Sequence, residues 1–167
     1  MDGFNLTVKQ ISEKIKDAQL TSVDLCKTYI ERIKKFEKDI HAWAHFDEKI
    51  LLEKAEEADN HRRSGKTLGL LHGIPVALKD IIGTLDMPTE CGTVFRKGMS
   101  ASQDAEIVDL LKNEGAIIMG KTATSELAYY SPSKTKNPHD YSRTPGGSSS
   151  GSAAVVASHM APLSIGS

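Results

Sequence analysis

Val8, Ile11, Ile15 and Ala18 recur at the three-and-four spacing of an amphipathic helix. Thr7 precedes them and Gln10 follows three residues later, the pattern of a capping box that satisfies two free N–H groups at a helix start. A second helix is predicted from about Ser22, with Val23, Cys26, Ile30 and Ile33 on one face and Tyr29 and Phe36 beside it. Lys34, Lys35 and Lys38 near its end suit the negative pole of the helix dipole. A third, charge-rich helix is predicted from about Asp47 to Arg63, broken by Ser64-Gly65-Lys66.

From Thr67 the texture changes. Gly69, Gly73, Pro75 and Gly83 punctuate short apolar runs. Ile74-Pro75-Val76-Ala77-Leu78 is a compact apolar strand signal that stops at Lys79-Asp80. Asp104 to Asn113 reads as an amphipathic helix ended by Gly115, and Ala116-Ile117-Ile118-Met119 as a short buried strand. Ser131 to Pro145 is polar and proline-containing, hence a loop. The run Gly146-Gly147-Ser148-Ser149-Ser150-Gly151-Ser152 follows, then a helix from Ala153 to Met160 and a strand within Ala161 to Gly166. Strand, helix, strand alternation predicts an α/β core with a partly parallel sheet. The division expected is an N-terminal helical region over residues 1–66 and the first part of an α/β core over 67–167.

Composition narrows the class without changing this picture. The 167 residues carry a net charge of -1, are 39% hydrophobic and 26% charged, and are long enough to bury a core without staples. The absence of a basic excess argues against nucleic acid or an anionic membrane surface as a direct partner. No apolar run approaches the roughly 20 residues of a membrane-spanning helix, and Met1 to Leu20 has no signal-peptide core. Cys26 and Cys91 form neither a disulfide framework nor a zinc pattern, so a cytoplasmic location is expected. The six histidines show no metal spacing beyond His41 and His45, which lack the intervening acid of a zinc helix and read as helix-surface or capping residues. Asn5-Leu6-Thr7 matches a glycosylation acceptor only in its letters.

Two places carry candidate chemistry. The Gly/Ser run has the composition of a flexible linker, but it feeds the apolar helix Ala153-Ala154-Val155-Val156-Ala157 directly. A glycine-rich loop at a helix N-terminus gathers backbone N–H groups and favours negative charge, which suits either phosphate binding or serine chemistry on an oxyanion. Lys79 follows an apolar strand run, at the strand end where α/β sites lie. An edge lysine there commonly snorkels to water; a buried one has a lowered pKa and serves as a base. Lysine with serines is a known alternative to Ser-His-Asp.

Two pattern matches fail on context. Gly115-Ala116-Ile117-Ile118-Met119-Gly120-Lys121-Thr122 has the letters of a P-loop, but a helix precedes it and its apolar middle is a strand, not a phosphate cradle. Ser131-Pro132-Ser133-Lys134 has the letters of a Ser-x-x-Lys site but sits in a polar loop.

Three segments in order resemble the amidase signature family: Leu71-His72-Gly73-Ile74-Pro75-Val76-Ala77-Leu78-Lys79-Asp80, then Gly120-Lys121-Thr122, then Asn137-Pro138 with Thr144-Pro145-Gly146-Gly147-Ser148-Ser149-Ser150-Gly151-Ser152-Ala153-Ala154. The resemblance runs through essentially the whole chain. It implies an α/β fold with a mixed sheet flanked by helices, preceded by the N-terminal helical region and incomplete in this chain. It also implies hydrolysis of a carboxylic amide through a Ser–cisSer–Lys triad, with no metal or organic cofactor. Lys79 matches the family's lysine, and Ser148 its middle serine, whose preceding peptide bond is cis. By analogy with the family, Ala128, Tyr129 and Tyr130 are expected to line the substrate pocket, a short core-packing helix being the equal reading of that segment. The partner implied is a small-molecule amide.

The family also contains the A subunit of glutamyl-tRNA amidotransferase, which needs partner subunits and a tRNA-linked substrate. Thr124-Ser125-Glu126-Leu127-Ala128-Tyr129-Tyr130 departs from the pattern of that enzyme, and the form of the Gly/Ser run favours a general amidase. The family's nucleophilic serine belongs to a second Gly-Gly-Ser element. Neither Ser164 nor Ser167 follows a Gly-Gly pair, so the expectation is an N-terminal portion that is inactive alone. Its unfinished sheet is expected to favour association through an exposed edge or with the missing C-terminal portion. A non-catalytic remnant acting as a binding module is the remaining alternative.

Overall fold

A computed structural model describes residues 6–167, so Asn5 and the start of the chain lie outside the described residues. Helix α1 (Val8–Lys16) begins at the predicted capping box, with the Thr7 hydroxyl accepting the Gln10 N–H and the Gln10 side chain accepting the Thr7 N–H. Helix α2 (Ser22–Ile40) and helix α3 (Glu48–Arg63) follow as the periodicity predicts. Asp59 of α3 is buried and accepts the N–H groups of Ser22 and Val23 at 2.8 and 3.1 Å, so one carboxylate satisfies the start of α2 and ties two helices together.

The N-terminal third is not all helix. Strand β1 (Trp43–Phe46) lies between α2 and α3 and joins the sheet. His41 accordingly caps α2 in the left-handed conformation, while His45 sits in β1 and not on a helix surface. Strand β2 (Pro75–Lys79) is buried along its length, helix α4 spans Glu106–Asn113, and strand β3 (Ile117–Thr122) runs three residues past the predicted stretch. Helix α5 (Ser150–Ala157) begins inside the Gly/Ser run, and strand β4 is Ser164–Ile165. The P-loop letters fall on the turn after α4 and on β3, as their context predicts.

The sheet order is β1-β3-β2-β4, with β1 antiparallel to β3 and the other neighbours parallel. A bulge between Val76 and Ala77 of β2 leaves Met119 as the extra residue of β3, so that Ile118 pairs with Val76 and Gly120 with Ala77. One face of the sheet packs Ala77, Ile117 and Met119 against α1, α2, α3 and α5. The other packs Val76, Leu78 and Ala116 against Val108 and Leu111 of α4. Gly151 lets α5 approach β3's exit: a Cβ there would stand 2.3 Å from Ala42 O and 2.3 Å from Ala123 N.

Candidate active site

Lys79 is the last residue of β2 and is fully buried. Its Nζ lies 2.5 Å from Ser148 Oγ and 2.8 Å from Ser167 Oγ. Burial pushes the Lys79 ammonium below the usual lysine value, because the low-dielectric surroundings disfavour the charged form. Among the described residues no carboxylate forms an ion pair with it. A deprotonated Lys79 would accept from one of these hydroxyls through its lone pair while an N–H donates to the other, an arrangement suited to a general base.

Ser148 stands just before α5, and the peptide bond between Gly147 and Ser148 is cis. Its carbonyl accepts two hydrogen bonds, from the Ser125 N–H at 3.0 Å and the Thr124 hydroxyl at 3.0 Å. The side chain is left free to face Lys79. Ser149 exchanges two bonds with the backbone of Ser167, accepting its N–H at 3.0 Å and donating to its carbonyl at 2.9 Å. Ser152 meets Thr122 Oγ1 at 2.7 Å, fastening α5 to β3 beside the lysine. The Gly/Ser run is thus an ordered, serine-bonded turn into a helix, not a linker.

The segment containing Ala128, Tyr129 and Tyr130 adjoins Ser148 through the backbone of Ser125. The Ser125 hydroxyl also donates to Tyr129 O at 2.8 Å. Glu126–Ala128 forms a short 3₁₀ turn, in which Leu127 and Ala128 have positive φ. Among the described residues Tyr129 and Tyr130 are exposed and pack edge to face with centroids 4.4 Å apart. A hollow of about 600 Å³ bounded by Lys54, His61, His72 and Lys112 is separate; neither Lys79 nor Ser148 lines it.

Three contributors escape sequence reasoning. Thr124 and Ser125 carry no motif that marks them as anchors of Ser148. Ser167 does not fit the nucleophile's pattern, yet its hydroxyl reaches Lys79.

Comparison with known proteins bears on the fold and the family. The second A subunit of glutamyl-tRNA(Gln) amidotransferase from Clostridium acetobutylicum is 40% identical over the whole chain, which covers 36% of that protein. The peptide amidase of Stenotrophomonas maltophilia superposes with a TM-score of 0.87 at 34% identity, over 94% of this chain and 35% of that one. A solved structure of fatty acid amide hydrolase gives 0.90 at 27% identity, over 98% of this chain and 30% of that one. The chain therefore spans about a third of the length of the relatives it matches. The family model described as Amidase matches residues 24–167, and the chain belongs to the amidase family.

Proposed function

We propose that Lys79 and Ser148 are two members of an amide-cleaving Ser–cisSer–Lys triad, and that the protein is an amidohydrolase. The observation that carries this reading is the buried Lys79 Nζ at 2.5 Å from Ser148 Oγ. In the proposed reaction neutral Lys79 takes the proton of Ser148, and Ser148 takes the proton of a nucleophilic serine. That serine, on a Gly-Gly-Ser element outside these 167 residues, attacks the amide carbonyl. The C–N bond breaks, the amine leaves with a proton passed back through Ser148, and water hydrolyses the acyl-enzyme to the acid. Tyr129, Tyr130 and Ala128, anchored beside Ser148, are proposed to line the substrate's path. The same reading assigns the protein to the cytoplasm, where Cys26 and Cys91, both free thiols in the structure, stay reduced. No helix among the described residues is long and apolar enough to cross a membrane.

The test is kinetic. In a protein carrying the whole catalytic set, Lys79→Met should lower kcat/KM for a carboxamide by about 10²–10⁴-fold, the usual worth of a general base. Retention of activity would overturn the reading, and a whole protein that turns over no carboxamide would favour a non-catalytic binding module. The 167-residue chain should not turn over simple amides; turnover abolished by Lys79→Met would place the nucleophile within it. A second reading, the A subunit of a glutamyl-tRNA(Gln) amidotransferase, is favoured by the 40% identity to a relative of that name. Co-purification with partner subunits and glutamine-dependent transamidation would select it.

A further inference from the structure

A second buried lysine stands one strand away from the first. Lys121 on β3 is fully buried and pairs in register with Leu78, the residue before Lys79. Strand alternation alone would turn Lys121 to the same face as Met119. The bulge shifts the register by one residue and brings Lys121 level with Leu78, on the face opposite Lys79. Gly120 makes the bulge possible, since a Cβ there would stand 2.6 Å from His45 O and 2.9 Å from the Trp43 ring.

On that face Lys121 Nζ lies 3.4 Å from Asp80 Oδ1, and Asp80 is itself buried. The ammonium also donates to Thr89 Oγ1 at 2.7 Å, to Pro88 O at 3.0 Å and, at 3.4 Å, to Thr84 Oγ1. Asp80 holds both ends of the same excursion. Its N–H donates to Thr122 O at 3.0 Å and continues the ladder beyond Lys79. Its carboxylate accepts the Glu90 N–H at 3.2 Å, and its carbonyl accepts the Cys91 N–H at 2.9 Å. Cys91 O in turn accepts the Leu127 N–H at 2.8 Å, two residues from Ser125, which holds Ser148 O. A continuous set of bonds therefore runs from Lys121 through Asp80 to the backbone on both sides of the Lys79–Ser148 contact.

We infer that Lys121, paired with Asp80 on the far face of the sheet, is a positioning residue that sets the Lys79–Ser148 geometry. The inference rests on reading those two residues as the reacting pair. Stability alone is a weak reason for such a pair, because a buried ion pair can often be replaced by apolar groups of similar volume without loss. What it supplies is directional. Bonds to Thr84, Pro88, Thr89 and Glu90 fix where the strand end and the returning loop lie, and an apolar pair would leave that register free to shift.

The experiment uses the 167-residue chain and does not depend on turnover. Lysine side chains are labelled with carbon-13, and the nuclear Overhauser contact between Lys79 Hε and Ser148 Hβ is followed. Lys121→Met leaves the Asp80 charge unpaired and risks unfolding, so Asp80→Asn/Lys121→Met is made beside it. In the double variant the backbone spectrum away from residues 80–92 should stay native, while the Lys79–Ser148 contact is lost and the Lys79 side chain titrates nearer to the usual lysine value. A folded double variant with the contact and the Lys79 titration unchanged would overturn the inference. The catalytic reading stands or falls separately, on the kinetics of Lys79→Met.

Discussion

At the residue scale, the environment of Lys79 decides its chemistry. Burial lowers its pKa, so between the folded and the ordinary lysine value the unfolded chain holds a proton that the folded chain does not. Stability therefore rises with pH across that window, and the full cost of burying a charge applies below it. Under the proposed base role, the same shift should place the acid limb of kcat/KM below the pH expected of an exposed lysine. A pH profile of an active full-length form checks this, and the residual activity of Lys79→Met should lack that limb. The two cysteines offer an independent check. The Cys26 thiol is fully buried and its pKa is pushed up to about 12, by burial first and by the Asp59 charge second. Cys91 is only half-buried. Iodoacetamide at neutral pH should label Cys91 in the native chain and reach Cys26 only on unfolding, with the label located by mass spectrometry. Equal labelling of both would contradict the packing of α2 on α3.

At the scale of elements, two junctions set the frame of the site. Asp59 joins α3 to the start of α2 through two amides. Asp59→Ala should cost about 1–3 kcal/mol, as lost capping and two buried N–H groups, measured by urea denaturation. Gly151 sets the distance between α5 and the chain leaving β3, and it donates to Ala123 O at 2.8 Å. In Gly151→Ala the added methyl meets backbone at 2.3 Å on two sides, which cannot rotate away. We expect a loss of at least about 1–3 kcal/mol, visible as a lower Tm, and displacement of Ser148, whose carbonyl is held less than a helical turn earlier in the chain. A neutral Gly151→Ala would show that the helix can slide. The helices were legible because their apolar spacing is long and regular. Strand β1 was not: its 4 residues are only partly buried and sit between two strong helical signals.

At the scale of the molecule, the sheet has two edge strands. β1 forms one edge, antiparallel to β3, while β4 contributes 2 residues at the other edge. Unpaired backbone groups on such an edge recruit further strands. We expect the 167-residue chain to self-associate, with light scattering giving a mass above the 18.1 kDa monomer at raised concentration. A monomer across the accessible range would sink that expectation. Phe95, Val94, Tyr129 and Tyr130 are strongly exposed and add apolar surface.

The helical starts, the apolar β2 run and the two residues whose meeting carries the proposed chemistry could all be read from the order of residues. Capping, periodicity and the amidase resemblance are local or ordered along the chain, which is why they do not depend on the folded structure. Lys79 and Ser148 are 69 positions apart, and it took the folded chain to bring Nζ and Oγ together and to bury the lysine. Folding also decided that the second lysine of the sheet turns away. The physical reason is register: a single inserted residue at the bulge reverses which face a side chain takes, and no periodicity in the sequence marks it.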